Sequence, residues 1–182
     1  MLSLTDQHAR KITRLNVNLI VKDLHPVHIV DGAAFVELTS DAYPDYPLVS
    51  NHYYPNRIND SYAIESTELI EFLQGIDSVA VTTDLWMSMA HHTYLGITTH
   101  FITQDGILQM RLLDCIEMSA DQHTADDIAE LLTERFAYWG MNGNVFAAIS
   151  DNGQNMVKAL RDIMHIPVVF GCFALAINLA VE

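Results

Sequence analysis

Two aspartates stand where this chain could do chemistry. Asp84 ends the run Ser78-Val79-Ala80-Val81-Thr82-Thr83, and Asp151 ends the run Val145-Phe146-Ala147-Ala148-Ile149-Ser150. Apolar, β-branched runs of this length suit buried strands. A strand with one acid at its C-terminal end presents that charge at the edge of an α/β sheet. Two carboxylates brought close together repel each other unless a proton or a cation sits between them. Oxygen ligands of this kind suit Mg²⁺ or Mn²⁺, which take one or two protein carboxylates and keep their waters. Such sites drive phosphodiester attack by activating a water or hydroxyl. Alternatively, both acids simply accept hydrogen bonds from the turn that follows, as Asn152-Gly153 would allow after Asp151.

The elements that must position these acids follow from periodicity. Ile12, Leu15 and Leu19 predict an amphipathic helix from Thr5 to about Asp23, ended before Pro26. A short helical piece over Gly32–Leu38, a turn-rich connector at Tyr43-Pro44-Asp45-Tyr46-Pro47 and a helix over Ile64–Leu73 come next. Strands are expected at Val79–Asp84, Tyr94–Ile102 and Ile107–Leu113, the last two joined by Gln104-Asp105-Gly106, a strong hairpin signal. Thr124 three residues ahead of Asp127 is a weak capping box. It opens a helix whose stripe is Ile128, Leu131, Leu132, Phe136 and Trp139, ending at Gly140. After the Asp151 strand, Met156, Ala159, Leu160 and Ile163 share a helix face, and Val168-Val169-Phe170 reads as a last strand. The order β-β-β-α-β-α-β predicts an α/β fold in which a fourth strand lies beside the first, with the two carboxyl groups roughly 4–7 Å apart around a shared cation.

The formal net charge is −14 over 182 residues. Residues 1–75 hold five Lys/Arg against ten Asp/Glu, and residues 76–182 hold four against thirteen, so no basic stripe is expected inside the acidic average. Phosphate binding usually rests on clustered Lys and Arg. The chain alone is therefore expected to show no duplex binding at physiological salt. No apolar run reaches the roughly 18 residues of a membrane span, no secretory leader is expected at the start, and Cys115 and Cys172 give no disulfide framework.

The remaining candidates have plain alternatives. His25 and His28 have a spacing a metal could use but fit equally as polar residues at a Pro turn. His91-His92 could approach the acids or form a solvated loop. Cys172 reads as a small apolar residue, and Trp86 and Trp139 as core or sheet-edge anchors. Asp114, Glu117, Asp121, Asp126, Asp127, Glu130 and Glu134 read as a solvated acidic face. Asn152, Gly153 and Asn155 read as turn and cap chemistry.

Several motifs occur together and in order: Thr83-Asp84-Leu85-Trp86-Met87-Ser88, Tyr94 to Ile102, His123-Thr124-Ala125, Ser150-Asp151-Asn152-Gly153-Gln154-Asn155-Met156, and Cys172-Phe173-Ala174 with Ile177-Asn178-Leu179. From about Leu4 to the last residue the chain resembles the hAT superfamily of DNA transposases and its domesticated relatives among BED-type zinc-finger proteins. The resemblance implies a ribonuclease H-like mixed sheet whose first two catalytic acids are Asp84 and Asp151. It implies Mg²⁺ or Mn²⁺ as cofactor and DNA as partner. It also implies a nuclear protein that cuts and joins DNA as an oligomer. Domains are expected at 1–75, a helical segment, and at 76–182, the first half of the transposase domain.

The chain departs from the family in four ways. The family's third acid, a glutamate beyond a large helical insertion, is expected to be absent, Glu182 being in the wrong place to replace it. Leu175 stands where the family has a histidine, which removes both ring nitrogens. No BED finger and no C-terminal dimerisation region are expected. The chain alone is thus expected to be a truncated, catalytically silent form. The alternatives are a domesticated nuclear interaction module that meets a protein partner or itself, or an unselected gene fragment.

Overall fold

The computed structural model describes Ser3, residues 6–119 and residues 124–181, with side chains to residue 178. The chain divides into two compact units, Met1–Thr67 and Glu68–Glu182, each with its own core.

The first unit is helical. α1 (Gln7–Lys22) is capped by Asp6, whose carboxylate accepts the His8 N–H at 2.8 Å. A 3-10 turn over Val27–Asp31 leads into α2 (Ala33–Ala42), and α3 (Tyr54–Gln74) begins in this unit. α3 starts ten residues ahead of the expected Ile64, because Pro55 tolerates a first helical turn and the polar stretch behind it gives no apolar stripe to read. The buried face of α1 also differs from the expected one. Ala9, Ile12, Thr13, Asn16, Val17 and Ile20 point inward, whereas Leu15 is 44% exposed. Two polar residues can face the core because each finds a tyrosine hydroxyl. Thr13 Oγ1 meets Tyr46 Oη at 2.9 Å, and Asn16 Nδ2 donates to Tyr54 Oη at 3.0 Å. Val17, Ile20 and Val30 pack around Tyr54.

Burial pushes the Tyr54 phenol well above its ordinary value of 10.0. Folding therefore favours the neutral phenol, a contribution complete below pH 10 and lost as pH rises towards the folded value. The unfolding free energy should fall from about pH 10 upward, more shallowly in Tyr54→Phe. At neutral pH that substitution should cost about 1 kcal/mol, since Asn16 loses an acceptor. Denaturant melts across alkaline pH give both quantities.

The second unit is a five-stranded mixed sheet of order β3-β2-β1-β4-β5. β1 (Val79–Met87), β2 (Thr93–Ile102) and β3 (Leu108–Met118) form an antiparallel meander, turned at Asp105-Gly106 with Gly106 at φ +77°. α4 (Ala125–Tyr138) carries the chain across to β4 (Val145–Ser150), which pairs parallel with β1. The Thr124–Asp127 capping box is present in both directions. α5 (Gln154–Lys158) runs on into a π turn over Ala159–Ile163. β5 (Val168–Gly171) then pairs parallel with β4, and α6 (Phe173–Val181) follows. One sheet face, with Val79, Val81, Leu95, Ile97 and Ala148, packs on Ile128, Leu132 and Phe136 of α4, on Met156, Ala159 and Leu160, and on Leu73 at the end of α3.

Asp114 corrects the expected solvated acidic face. A bulge opposite Ile97/Thr98 adds Leu113 to β3, and Leu113 and Asp114 both turn towards the core. The Asp114 side chain is only 9% exposed. It accepts two bonds from Arg135 at 3.0 Å each and one from Trp139 Nε1 at 2.7 Å. Burial works against the Arg135 charge, but Asp114's bonds and charge outweigh it and hold the guanidinium above its usual range. The group pins β3 to the end of α4. Asp114→Ala leaves a guanidinium and an indole N–H without their acceptor, and should cost about 2–4 kcal/mol. Asp126→Ala, on the exposed face of α4, should cost under about 0.5 kcal/mol. Urea unfolding of both variants checks the contrast.

Candidate metal centre

β1–β4 pairing brings the two acids together. Thr82 lies beside Ile149 and Thr83 beside Ser150, so the next step places Asp84 next to Asp151, one residue beyond the end of β4. Adjacent strands run about 4.8 Å apart. Alternation puts Asp84 on the face of Ala80 and Thr82, the side that Ile149 of β4 also faces. Asp84, within β1, and Asp151, one residue past β4, thus stand at the same end of two neighbouring strands.

Their surroundings differ. Asp151 is half-buried, and its Oδ1 accepts the Gly153 N–H at 3.3 Å, the turn bond that the sequence allowed for this acid. Ser150 Oγ donates to the Asp151 carbonyl at 2.8 Å, and the Cys172 N–H donates to the Ser150 carbonyl at 2.7 Å. The turn is therefore held from both sides. Asp84 is exposed, and among the described residues no donor meets its carboxylate. Gly96 pairs with Asp84, and a Cβ there would come within 2.9 Å of the Trp86 ring, so glycine lets Trp86 lie flat over β2. Trp86 stacks on Tyr94 with ring centroids 5.9 Å apart, which forms an aromatic wall beside Asp84.

The donor types suit a hard divalent cation: two carboxylates at the same end of neighbouring strands, one of them without a protein partner and open to solvent for the waters Mg²⁺ keeps. Among the described residues, no group of three or more His, Cys, Asp or Glu comes together.

The other candidates fall elsewhere. His92 pairs through Nδ1 with Glu117 on β3, and His91 occupies a turn at φ +62°. His25 and His28 are both exposed and belong to no ligand cluster. Cys115 is exposed and Cys172 half-buried. His123, Asp121 and Glu182 lie outside the described residues. The expected absence of a basic stripe is corrected by α1, whose sixteen residues hold four of the nine cations. Among the described residues no helix is long and apolar enough to cross a membrane.

Two ionised carboxylates on adjacent strands repel each other when nothing neutralises them. In the presence of a chelator, Asp84→Asn should therefore stabilise the second unit by about 0.3–0.5 kcal/mol, a size typical of exposed charge pairs. Asp151→Asn should stabilise less, because the Gly153 bond weakens with the charge. Chelated denaturant melts of the three proteins give the ranking, and a destabilised Asp84→Asn would place the acids apart.

Residues 82–168, from β1 to the start of β5, match the ZBED1 RNase-like domain family. The chain is 27% identical over 155 residues to a putative AC transposase of Zea mays, covering 85% of this chain and 19% of that protein. It is 27% identical over 132 residues to the zinc finger BED domain-containing protein DAYSLEEPER of Arabidopsis thaliana, covering 70% of this chain and 18% of that protein. It is 23% identical over 188 residues to the human zinc finger BED domain-containing protein 6, covering 94% and 19%. The chain thus spans about a fifth of the length of these relatives. Sheet order and these matches support a hAT-type transposase-related domain with a ribonuclease H-like fold in the second unit.

Proposed function

We propose that the second unit holds a single Mg²⁺ or Mn²⁺ between Asp84 and Asp151 and presents it to a DNA phosphate in the nucleus, as part of a cleavage and strand-transfer site that needs further carboxylates to work. The observation that supports this is the β1–β4 register, which pairs Thr83 with Ser150, the residues immediately before the two acids. Bound there, the cation would polarise a phosphoryl oxygen and lower the pKa of a bound water. Asp84, with no competing donor, would be the stronger oxygen ligand. Asp151 is oriented by Gly153 and by the Ser150–Cys172 contact, which fix the turn and so the direction of its carboxylate.

Two carboxylates alone should hold Mg²⁺ weakly, with a dissociation constant on the order of millimolar, because the ion dehydrates reluctantly. Chemistry of the two-metal kind needs more negative ligands to balance both ions. The isolated 182-residue chain is therefore read as a cation-holding part and not as a complete enzyme.

A second reading is a non-catalytic nuclear interaction module. It draws support from the open face of the sheet, where Met110 and Leu112 are 62% and 69% exposed and Phe170 is 59% exposed. Phe173, Leu175 and Ile177 of α6 are exposed as well. Apolar surface of this extent attracts partners or a second copy.

Nicking of supercoiled plasmid and joining of labelled DNA ends by the purified chain separate the two parts of the proposal. No product is expected with Mg²⁺ or Mn²⁺, and Asp84→Asn should change nothing. Calorimetric titration should still show weak Mn²⁺ binding that Asp84→Asn removes. Cleavage abolished by Asp84→Asn or Asp151→Asn would mean that two acids suffice. Mn²⁺ binding unaffected by both substitutions would overturn the site.

A further inference from the structure

The outer face of α1 concentrates positive charge in an otherwise acidic chain. Arg10, Lys11, Arg14 and Lys22 lie within its sixteen residues, which contain no Asp or Glu, whereas the rest of the chain holds five Lys/Arg against twenty-three acids. All four cations are exposed, and among the described residues none has an ion pair or a side-chain hydrogen bond. They occupy one arc of the helix, opposite Ala9, Thr13, Asn16 and Ile20. Lys11 and Lys22 are eleven residues apart, about three turns, and Arg10 and Arg14 are about one turn apart. Arg10, Lys11 and Arg14 line a concave strip with Gln7 and His8, next to Asp6. The N-terminus of α1 takes no part in this, since the Asp6 carboxylate already occupies it.

Four unpaired cations on one side of a helix lose no internal interaction when they meet an external anion. The row from Lys11 to Lys22 is about 16 Å long, a length over which one strand of duplex DNA carries about five phosphates at 3.4 Å per charge. Helix geometry keeps the charges in a line, which suits a regular polyanion better than a single compact one. The acidic remainder of the chain opposes binding, so the contact should position DNA more than it holds it. We infer that the outer face of α1 is a sequence-independent contact for the phosphate backbone of duplex DNA. The choice of DNA rests on the proposed function above, but the contact itself requires neither Asp84 nor a divalent cation.

Fluorescence anisotropy of a labelled mixed-sequence duplex with the full chain, in the presence of EDTA, tests this separately from the metal site. Binding should be measurable at about 20 mM salt and lost by about 150 mM. The slope of log affinity against log salt should be about −3 to −4, since each neutralised phosphate contributes about 0.9. Arg10→Glu, Lys11→Glu and Arg14→Glu together should weaken binding at least tenfold, whereas Lys158→Glu with Arg161→Glu should leave the salt slope unchanged. If circular dichroism shows that the triple variant is unfolded, Arg10→Gln with Arg14→Gln should lower the slope by about two phosphates' worth. The inference is overturned if wild type shows no binding at the lowest salt, if the α1 variants bind as wild type does, or if phosphatidylserine vesicles are bound and the duplex is not.

Discussion

Parallel pairing of β1 with β4 is the constraint on which the second unit depends. Parallel neighbours cannot be joined by a tight turn, so the chain must leave the meander, cross one face of the sheet as α4 and re-enter beside β1. Each device in the crossover serves that return. The Thr124–Asp127 box starts α4, the Asp114–Arg135–Trp139 group ties its far end to β3, and Gly140 at φ +71° turns the chain out of the helix. Leu132 and Phe136 press α4 onto Val81 and Ile97. Shifting the β4 register by one residue would move Ser150 to the open face, so the same packing that stabilises the sheet fixes which side each residue of β4 presents.

The two faces of the sheet have different tasks. One is closed by helices and supplies the apolar core. The other carries the small residues Ala80, Gly96 and Thr98 near its middle, with Met110, Leu112, Ile149 and Phe170 towards the edges and Asp84 at one end. The acidity of the chain makes the cationic face of α1 conspicuous. In a chain of net charge −14, a row of unpaired Lys and Arg is a local exception that the average conceals.

Much of the second unit is legible because its signals are local. Val79-Ala80-Val81 and Ala147-Ala148-Ile149 read as strands without tertiary help, Asp105-Gly106 as a turn, and Thr124 with Asp127 as a helix start. Strand order follows once the crossover is recognised. What escaped depends on partners distant in the chain. Asp114 looks like one acid among many until β3 bulges and Arg135 meets it. α1 offers two competing stripes, and Leu15 loses to Thr13 and Asn16 because Tyr46 and Tyr54 supply hydroxyls from more than thirty residues away. The early part of α3 has no apolar period, so only the structure places it in a helix.

The central claim is that Asp84 and Asp151 act together on one cation. Titration of the ¹⁵N-labelled chain with Mn²⁺, read by paramagnetic broadening of backbone amides, addresses it most directly. The amides of Asp84, Gly96, Asp151 and Gly153 should broaden first and together, and Asp84→Asn should remove the effect at all four. Broadening that begins instead along the α4 carboxylates Asp126, Glu130 and Glu134, or that reaches Asp84 without reaching Gly153, would contradict a shared site.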